Sequence, residues 1–309
     1  MDPITHGLTG AVMAQAGLRQ RWGRQATLAT VVGAMIPDID VFWSRGVLAL
    51  ETHRGITHSF VGAIVLASAL GAALLPLGRE KRWWVLAGLS LGAIVGGHLF
   101  IDLINNYGIQ LFLPFSKARP ALDLVFILDP LVTVPLLVSL ACGVVWRARA
   151  AWLGRLAFAW LAVYIAALGV SHAAALANLR QAAVAQGIAA LRVSALPEPM
   201  NPIAWEGFVE DRTHYWQGRV SALGGPVLLA PSLKPVTVAA AVAAQSPEVQ
   251  IYLWFARFPT LIERVEDGHR ILDYTDLRFS YAPLGNRPFG RLRVILSQEG
   301  AVERVLLNP

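Results

Sequence analysis

Histidines and aspartates that could bind a metal ion recur through the first third of this chain of 309 residues. The sequence His98-Leu99-Phe100-Ile101-Asp102 separates an imidazole from a carboxylate by four residues, so a helix would project both from one face. The sequence Pro37-Asp38-Ile39-Asp40 offers two carboxylates, which could serve two metal ions if the chain leaves its helix at Pro37. Imidazole and carboxylate donors suit Zn²⁺, and also Mn²⁺ or Fe²⁺. The complete set of candidate metal ligands is His6, Asp38, Asp40, His53, His58, His98 and Asp102.

Each of these motifs has a plain structural alternative. A His-x-x-x-Asp pair on a helix is often structural, and Pro37–Asp40 could be a helix stop with a cap. Ionisable groups within apolar segments are costly, however, and usually mark a functional site, so the combination favours a metal centre. His172 has Leu176 four positions later instead of an acidic residue, which leaves a polar contact between helices and an outer ligand as equal alternatives. His214 and His269 are interpreted as surface or turn residues.

Three cationic residues near these motifs could bind an anionic group such as phosphate. Arg54 lies between the two histidines of the stretch His53–His58, where its guanidinium could be close to the metal ligands. Lys117 and Arg119 could act in the same way, or they could extend to the membrane interface as anchors.

The composition of the chain is strongly apolar. Apolar residues make up 55% of the chain and charged residues 15%, against roughly 25% charged residues in an ordinary soluble domain. These values, with a mean hydropathy of +0.52, exclude a soluble enzyme and a disordered chain. The basic residues separate apolar stretches instead of clustering on one face, which argues against nucleic acid as a partner. Cys142 is the single cysteine, so neither an intramolecular disulfide nor a cysteine-based metal site can form.

Apolar runs predict an all-α polytopic membrane domain over residues 1–180. Three runs approach or exceed the roughly 20 residues that a helix needs to cross a bilayer, a fourth is interrupted twice, and two shorter segments precede them. In chain order the six segments are Ile4–Leu18, Gln25–Ile36, Thr57–Leu77, Trp83–Leu103, Leu124–Trp146 and Trp152–Leu176. We therefore expect about six membrane helices, with four as the cautious alternative.

Loop charges predict the orientation of a six-helix domain. Nine basic residues fall in loops on one side: Arg19, Arg21, Arg24, Arg79, Lys81, Arg82, Arg147, Arg149 and Arg155. Four fall on the other side: Arg45, Arg54, Lys117 and Arg119. Basic loops stay in the cytoplasm. A multi-pass protein of the inner membrane would then have both termini, the candidate metal ligands and the C-terminal domain on the extracytoplasmic side.

The composition changes after Arg180, and residues 181–309 predict a small β-rich α+β domain outside the membrane. The stretch Pro197–Pro202 contains three prolines and is expected to break regular structure. Asp267-Gly268 is a hairpin signal between Leu261–Glu266 and His269–Tyr274. Further strands are expected at Trp205–Glu210, Tyr215–Val220, Gln250–Phe258 and Arg291–Leu296, and a short helix at Val236–Gln245.

The order and spacing of these motifs resemble the membrane-bound metal-dependent hydrolase family, the YdjM-like inner-membrane proteins. The matching pieces lie within residues 1–135: Met1-Asp2-Pro3-Ile4-Thr5-His6-Gly7, Pro37-Asp38-Ile39-Asp40, His53-Arg54-Gly55-Ile56-Thr57-His58-Ser59, Gly97-His98-Leu99-Phe100-Ile101-Asp102, Pro114-Phe115-Ser116 and Asp129-Pro130. Residues 180–309 resemble the appended domain of longer members. The chain is more distantly similar to zinc-dependent phospholipase C and the P1-type nucleases, through an early histidine, aspartates and the pair His98 and Asp102. Their second helical pair, His-x-x-x-Glu, has no match at His172, so the resemblance implies two divalent metal ions instead of three, with zinc first.

Together the residues and the resemblance predict a membrane-embedded metal-dependent hydrolase. The expected reaction is cleavage of a phosphoester in a lipid or lipid-linked substrate by a metal-activated water. Asp40 or Asp129 would act as general base, and Arg54 would bind the negative charge of the substrate.

Two other functional classes stay open at this point. A membrane metalloprotease or amidase would need a glutamate as general base, but the membrane half offers only Glu51 and Glu80 and has no His-Glu-x-x-His motif. A metal transporter or sensor would have no enzymatic activity, and a transporter should carry polar residues at the centres of its helices. The stretch Gly62–Leu75 is nearly free of them. The oligomeric state is not predicted.

Overall fold

The computed structural model of the chain describes residues 1–280 and 290–308. The chain divides into two compact units, each built from more than one stretch of sequence. The helical unit consists of Met1–Phe42, Arg54–Ala174 and Pro197–Trp205. The sheet unit consists of Trp43–His53, Ala175–Leu196 and the described residues from Glu206 onward. The domain boundary predicted after residue 180 stays a prediction.

Helices account for most of the chain up to residue 185, as the sequence predicts. The α-helices of this part are α1 (Pro3–Met13), α2 (Arg19–Met35), α3 (Ala49–Thr52), α4 (Phe60–Leu74), α5 (Trp83–Ile94), α6 (Phe100–Leu103), α7 (Pro130–Val145) and α8 (Ala150–Ala185). The π turns are Ala14–Leu18 and Val95–Leu99. The 3₁₀ turns are Ile36–Phe42, Gly46–Leu48, Ile56–His58, Leu75–Leu77 and Arg147–Arg149.

Polar side chains fix where several helices begin. At the start of α4, Ser59 accepts a hydrogen bond from the backbone N–H of Gly62 at 2.9 Å. At the start of α7, Asp129 accepts one from the backbone N–H of Leu131, also at 2.9 Å. Pro130 follows as the first residue of α7, where a missing N–H costs nothing. The apolar run predicted to begin at Leu124 therefore becomes helical only at Pro130.

Four helical runs are long and apolar enough to cross a membrane: Pro3–Phe42, Phe60–Leu77, Trp83–Leu103 and Arg147–Ala185. The predicted count of six membrane helices is therefore not supported. The predicted fifth span, α7, has only 16 residues, and the first two predicted segments lie within the single run Pro3–Phe42. The orientation predicted from loop charges assigned the loops to alternate sides of six spans. With four candidate spans this assignment no longer holds, so the orientation stays a prediction.

The run Pro3–Phe42 folds back on itself, which explains why it does not supply two full spans. Gly17 has a φ of 141° and Gly23 a φ of 68°, and these conformations turn the chain between α1 and α2. A Cβ on Gly10 would lie 2.3 Å from the carbonyl oxygen of Thr30, so the backbones of α1 and α2 are almost in contact. With 11 and 17 residues, both helices are shorter than the roughly 20 residues of a full span.

Small residues also allow α4 and α5 to approach closely, as is common where membrane helices pack. A Cβ on Gly71 would lie 2.6 Å from the backbone nitrogen of Ala87. One apolar cluster beside this contact consists of Ala29, Leu70, Leu74 and Leu86. A second cluster consists of Ala63, Ala67, Ile94, Leu99, Ile109 and Leu111. The second cluster therefore packs the loop after α6 against α4 and α5.

Strands dominate the chain after residue 191, which confirms the predicted β-rich region. The strands are β1 (Arg192–Glu198), β2 (Asn201–Glu210), β3 (His214–Ser221), β4 (Ala230–Leu233), β5 (Pro259–Glu266), β6 (His269–Asp276), β7 (Arg291–Leu296) and β8 (Val302–Leu307). Two helices, α9 (Val238–Ala243) and α10 (Pro247–Phe255), and the 3₁₀ turn Leu277–Phe279 complete this part. The strands form two sheets in chain order, β1-β2-β3-β4 and β5-β6-β7-β8. All neighbouring pairs in the second sheet are antiparallel.

The hairpin predicted at Asp267-Gly268 is confirmed. Glu266 pairs with His269, and the two turn residues have φ values of 50° and 79°. Positive φ at both central residues is the geometry that an Asp-Gly turn favours between twisted strands. The strands predicted within β2, β3 and β7 and the helix predicted around α9 are also confirmed.

One predicted strand is wrong: Gln250–Phe258 lies mostly in α10. Ser246 occupies the position before the helix, Pro247 the first helical position, and Glu248 lies in the first turn. These residue types are all signals for a helix start. A short apolar stretch fits both a strand and a helix, so the apolar residues of this run do not distinguish the two structures. The prolines of 197–202 also break less structure than predicted, since only Pro199 and Met200 separate β1 from β2.

The sheet unit has its own aromatic core. The rings of Phe208 and Phe258 stack with centroids 4.3 Å apart, and the ring of Tyr215 meets Phe258 edge-on at 5.7 Å.

In the second sheet, the buried carboxylate of Asp273 lies beside two arginines. Burial alone would raise the pKa of Asp273, but the guanidinium groups of Arg293 and Arg264 outweigh burial and hold that pKa below its ordinary value. The sheet unit therefore pairs the buried carboxylate of Asp273 with its own arginines.

The contact between α1 and α2 can be tested with glycine substitutions. Gly10→Ala should lower the free energy of unfolding by about 2 kcal/mol or more, because the new methyl group would overlap the backbone of α2. Gly92→Ala is the matched control, since a Cβ there meets no atom within 4 Å in the described part of the chain. Thermal unfolding of both variants in detergent measures the difference. Equal stability of the two variants would contradict the packing of α1 against α2.

Candidate metal centre

The candidate site lies within the helical unit, where segments that are distant in sequence meet. His6 comes from α1, Asp38 from the turn Ile36–Phe42, His58 from the turn Ile56–His58, His98 from the π turn Val95–Leu99, and Asp102 from α6. The side chains of the three histidines and of Asp102 are fully buried, and that of Asp38 is 18% exposed. The structure therefore brings these five of the seven predicted ligands together, and a sixth, Asp40, contacts His58.

Backbone carbonyl groups orient two of the imidazoles. The Nδ1 atom of His6 lies 3.1 Å from the carbonyl oxygen of Gly97, and that of His98 lies 2.7 Å from the carbonyl oxygen of Ala34. A carbonyl can only accept a hydrogen bond, so both Nδ1 atoms donate and both Nε2 atoms keep a free lone pair. The two rings are stacked with centroids 3.8 Å apart. This arrangement leaves each Nε2 atom ready to bind a cation, as in metal sites whose histidines are held by outer hydrogen bonds.

Asp40 and Thr57 hold the third imidazole. The Nδ1 atom of His58 lies 3.3 Å from Oδ2 of Asp40 and 3.0 Å from the hydroxyl of Thr57. The same Oδ2 atom accepts hydrogen bonds from the Thr57 hydroxyl at 3.0 Å and from the backbone N–H of Arg54 at 2.8 Å. Asp40 was predicted as a ligand and as a possible general base. Its contacts favour a third role, in which its carboxylate orients His58 from behind.

Two imidazole nitrogens lie close to each other and to one oxygen of each of two carboxylates. The Nε2 atoms of His58 and His98 are 3.0 Å apart. Oδ1 of Asp38 lies 3.4 Å from the first and 3.5 Å from the second, and Oδ2 of Asp102 lies 3.6 Å from both. Two ligands of a tetrahedral zinc ion, with bonds of about 2.0–2.2 Å, are about 3.4 Å apart. The donor atoms of Asp38, His58 and His98 therefore fit three ligands of one tetrahedral ion, and Oδ2 of Asp102 lies beside the two imidazole nitrogens.

The polar atoms around this set also favour a cation. Among the described residues, Nε2 of His6 and Oδ2 of Asp102 have no hydrogen-bond partner although both are buried. Arg54 and the amino group of Met1 both contact Oδ1, the other oxygen of the Asp102 carboxylate. A buried polar atom without a partner is costly. A bound divalent metal ion would give Nε2 of His6 or Oδ2 of Asp102 a partner.

A second metal ion has weaker support. Besides the group Asp38, His58 and His98, a second group of possible ligands consists of His6, His98 and Asp102, so the two share His98. Nε2 of His6 lies 3.4 Å from Oδ1 of Asp102. That oxygen is also 3.0 Å from Nη2 of Arg54 and accepts a hydrogen bond from Asn105 at 3.3 Å. Because these N–H groups already contact Oδ1, the geometry favours one ion at Asp38, His58 and His98 over an ion beside His6. The predicted pair of ions stays a prediction.

Arg54 is buried within the site and does not extend to its surface. Its guanidinium contacts Asp102 and donates to Oδ1 of Asn105 at 3.1 Å, and it lies 4.7 Å from the centre of the Tyr107 ring. Its backbone adopts a φ of 59°, which is uncommon for a residue with a side chain. These contacts favour a role in positioning Asp102. The predicted role in binding the substrate stays a prediction.

The structure places the other predicted residues as follows. Asp129 caps α7, and its Oδ2 accepts a hydrogen bond from the hydroxyl of Tyr164 at 2.8 Å. His53 ends α3 and belongs to the sheet unit, so its predicted ligation is not assessed by the geometry of the helical unit. Arg119 donates to the carbonyl oxygens of Tyr107 and Gly108 at 3.4 and 3.1 Å. Lys117 is exposed.

The remaining histidines pack against aromatic or acidic neighbours. The ring of His172 lies 4.9 Å from the indole of Trp205. His214 lies beside Trp216, and His269 is partly exposed with its Nε2 atom 3.3 Å from Glu303. These contacts agree with the interpretation of His214 and His269 as surface or turn residues.

Sequence reasoning missed the polar loop that follows Asp102. Asn105, Asn106, Tyr107 and Gln110 are all buried, and the backbone N–H of Gln110 donates to the carbonyl oxygen of Arg54 at 3.1 Å. A signal was present, because this polar stretch directly follows the His-x-x-x-Asp pair at the end of an apolar run. The loop supplies the polar contacts that hold Arg54 in place.

Comparisons with known proteins agree with the membrane character of the chain. A profile of the YdjM inner membrane protein family matches residues 1–176. The uncharacterized protein YfhP of Bacillus subtilis strain 168 is 29% identical over 184 residues, which cover 55% of this chain and 52% of that protein. The chain thus matches about half the length of this curated relative. No solved structure matches the chain significantly.

The role of Asp40 can be separated from that of a ligand by a matched pair of variants. Asp40→Asn should weaken zinc binding by about 10-fold to 100-fold, because His58 loses the carboxylate that orients its ring. Asp129→Asn should leave zinc affinity unchanged, since an asparagine can still cap α7. Competition against a chelator of known affinity measures both constants. Complete loss of zinc from Asp40→Asn would make Asp40 a ligand, and unchanged affinity would remove it from the site.

Proposed function

The chain belongs to the YdjM inner membrane protein family, and we propose that it is a metal-dependent hydrolase that cleaves a phosphoester in a lipid or lipid-linked substrate. The observation that carries this proposal is the set of four donor residues Asp38, His58, His98 and Asp102, in which each carboxylate lies 3.4–3.6 Å from the two imidazole nitrogens and these nitrogens are 3.0 Å apart. Zinc is the first choice for the ion, and manganese and iron accept the same donors.

The position of the donors at the ends of helical runs supports a substrate at the membrane surface. Asp38 lies near the end of the run Pro3–Phe42, and Asp102 is the second-last residue of the run Trp83–Leu103. His58 lies two residues before the run Phe60–Leu77. The ends of membrane helices lie near the level of lipid head groups. A phosphoester in a head group would therefore be at the depth of the donors.

Exposed apolar side chains next to Asp38 support a lipid instead of a water-soluble ester. Ile39, Val41 and Phe42 are 40%, 51% and 76% exposed, and they flank the one donor of the set that is itself partly exposed. Phe115, in the loop after α6, is 87% exposed. A cluster of exposed apolar residues is typical of surfaces that contact lipid. Access to the donors from the side of Asp38 would bring a lipid ester past these residues.

The residues of the chain take distinct roles in the proposed reaction. A bound divalent ion would supply Lewis-acid polarisation of the phosphoryl oxygen and activation of a water molecule. Asp40 holds the Nδ1 side of His58, and Arg54 holds Oδ1 of Asp102, so both keep ligands in a fixed direction. Asp40 and Asp129 were predicted as alternatives for the general base, but an oxygen of each is already engaged by several donors or by Tyr164. A positioning role for Asp40 and a capping role for Asp129 are better supported.

One observation favours a second candidate, a metal-binding protein without enzymatic activity. Three of the four donor side chains are fully buried, and structural metal sites are usually closed in this way, whereas catalytic sites keep one position open. The partial exposure of Asp38 is the feature that supports an enzyme, because a substrate could approach the donors from that side. Metal content and activity must therefore be measured separately.

Metal content tests the donor set itself. His98→Ala should reduce bound metal in the purified protein to below about a tenth of the wild-type amount, because the imidazole contributes to the shared donor set. His214→Ala, in the sheet unit, should leave the amount unchanged. Elemental analysis by mass spectrometry provides the measurement. Full metal content in His98→Ala would refute the assignment of the site.

Activity tests the reaction. Wild-type protein in mixed micelles of detergent and phospholipid, with Zn²⁺ or Mn²⁺ added, should release a water-soluble phosphate ester or a dephosphorylated lipid. His98→Ala should lower this rate at least about 100-fold, and Asp129→Asn should retain most of it.

Three results would contradict the phosphoester assignment. Cleavage of peptides or amides instead of phosphoesters would favour a metalloprotease or amidase. Stoichiometric metal with no hydrolysis of any ester or amide would favour the non-enzymatic candidate. Hydrolysis of phosphoesters at an equal rate in His98→Ala would show that the activity arises elsewhere.

A further inference from the structure

A cleft with a cationic rim lies in the helical unit, at the tip of the hairpin formed by α1 and α2. It has a volume of about 600 Å³, which is in the range of small-molecule sites. Its lining includes Gln15, Arg19, Gln20, Leu140, Val144 and Arg147. His6 and Arg19 are 13 positions apart, so at 1.5 Å per helical residue they are separated by about 20 Å along the hairpin. The cleft is therefore distinct from the metal centre and does not depend on the proposed hydrolase function.

The charge of the cleft is entirely positive. Arg19 and Arg147 line it, and no aspartate or glutamate is among its lining residues. Arg19 and Arg147 are exposed, and neither forms an ion pair within the residues that the structure describes. Glu80, in the neighbouring loop, is bound by Arg82 through two oxygen contacts of 2.9 and 2.8 Å. Two guanidinium groups that have no carboxylate partner are suited to binding a phosphate group.

The other wall of the cleft is apolar and continues onto an exposed surface. Leu140 and Val144 of α7 line the cleft. Val144 and Val145 are 71% and 72% exposed, and Leu137, two turns earlier, is 53% exposed. Arg147 begins the candidate span Arg147–Ala185. The cleft thus combines a cationic rim at the end of a helical run with an apolar strip beside it, which matches the two ends of a phospholipid.

We propose that this cleft binds an anionic glycerophospholipid of the membrane. Arg19 and Arg147 contact the phosphate of the head group, and an acyl chain lies along Leu140 and Val144. Basic pockets between membrane helices recognise anionic head groups by this combination of charge and apolar contact. A zwitterionic lipid binds less well, because its ammonium group meets a rim that has no carboxylate.

The experiment uses the full chain in nanodiscs that contain equal parts of phosphatidylglycerol and phosphatidylcholine. Native mass spectrometry of the protein released from the discs should show phosphatidylglycerol retained in preference to phosphatidylcholine. Arg19→Gln/Arg147→Gln should lower that preference at least about tenfold. Arg24→Gln/Arg149→Gln removes the same charge from the same end of the unit but from outside the cleft, and should change the preference less than about twofold.

Several outcomes would overturn the proposal. Equal loss in the two double variants would show attraction by net charge alone, and no loss in either would exclude the cleft. Displacement of phosphatidylglycerol by water-soluble glycerol phosphate at equal concentration would show a site for a free phosphate instead of a lipid.

A folding control accompanies the two double variants. Unchanged elution and thermal unfolding of both would establish that the comparison is between folded proteins. If the cleft variant alone is misfolded, the single variants Arg19→Gln and Arg147→Gln should each show part of the tenfold loss, and wild-type preference in both would refute the proposal.

Discussion

Polar groups that are removed from water within an apolar set of helices must be matched by other polar groups, and this requirement governs the helical unit. Asp102 is fully buried. An unmatched buried charge costs several kcal/mol, which is a large part of the stability of a typical domain. Asp102 is matched by Arg54 and Asn105, which contact its Oδ1 atom. Its Oδ2 atom lies close to the imidazoles of His58 and His98. The helices are arranged around these contacts as much as around their apolar clusters.

The helix backbones contribute directly to the site. Ala34 lies in the last turn of α2, where carbonyl groups have no partner within the helix. His98 donates to that carbonyl, so one contact completes the end of α2 and sets the direction of an imidazole. Gly97, whose carbonyl is contacted by His6, lies in the π turn between α5 and α6. A π turn often occurs at a functional site, because the widened turn frees backbone groups from the regular pattern. Glycines such as Gly10 bring α1 and α2 close enough for these contacts to form.

Much of this arrangement could be predicted from the sequence, and the limits have physical causes. The spacing of His98 and Asp102 and the rarity of charged residues nearby indicated a buried polar site, because such residues are costly in apolar segments. The Asp-Gly hairpin was predictable because its turn requires two residues that tolerate positive φ. The number of spans was not, because hydropathy does not show that Gly17 and Gly23 fold the first run back on itself. The roles of Asp40 and Arg54 also could not be predicted, since they depend on which donors surround each oxygen.

The burial of the donor set has a consequence for how fast an ion could enter or leave. Three of the four donor side chains have no exposed surface, and Asp38 is the member that reaches the outside. An ion would therefore have to pass the Asp38 carboxylate and would shed most of its water before the two imidazoles could bind it. A chelator in solution would not contact the inner donors, so it would capture an ion only after the ion had left past Asp38. Exchange in such a centre would be slow compared with exchange at an open surface site. Equilibrium with a chelator would then need long incubation, and over shorter times the metal present during folding would decide which ion the centre carries.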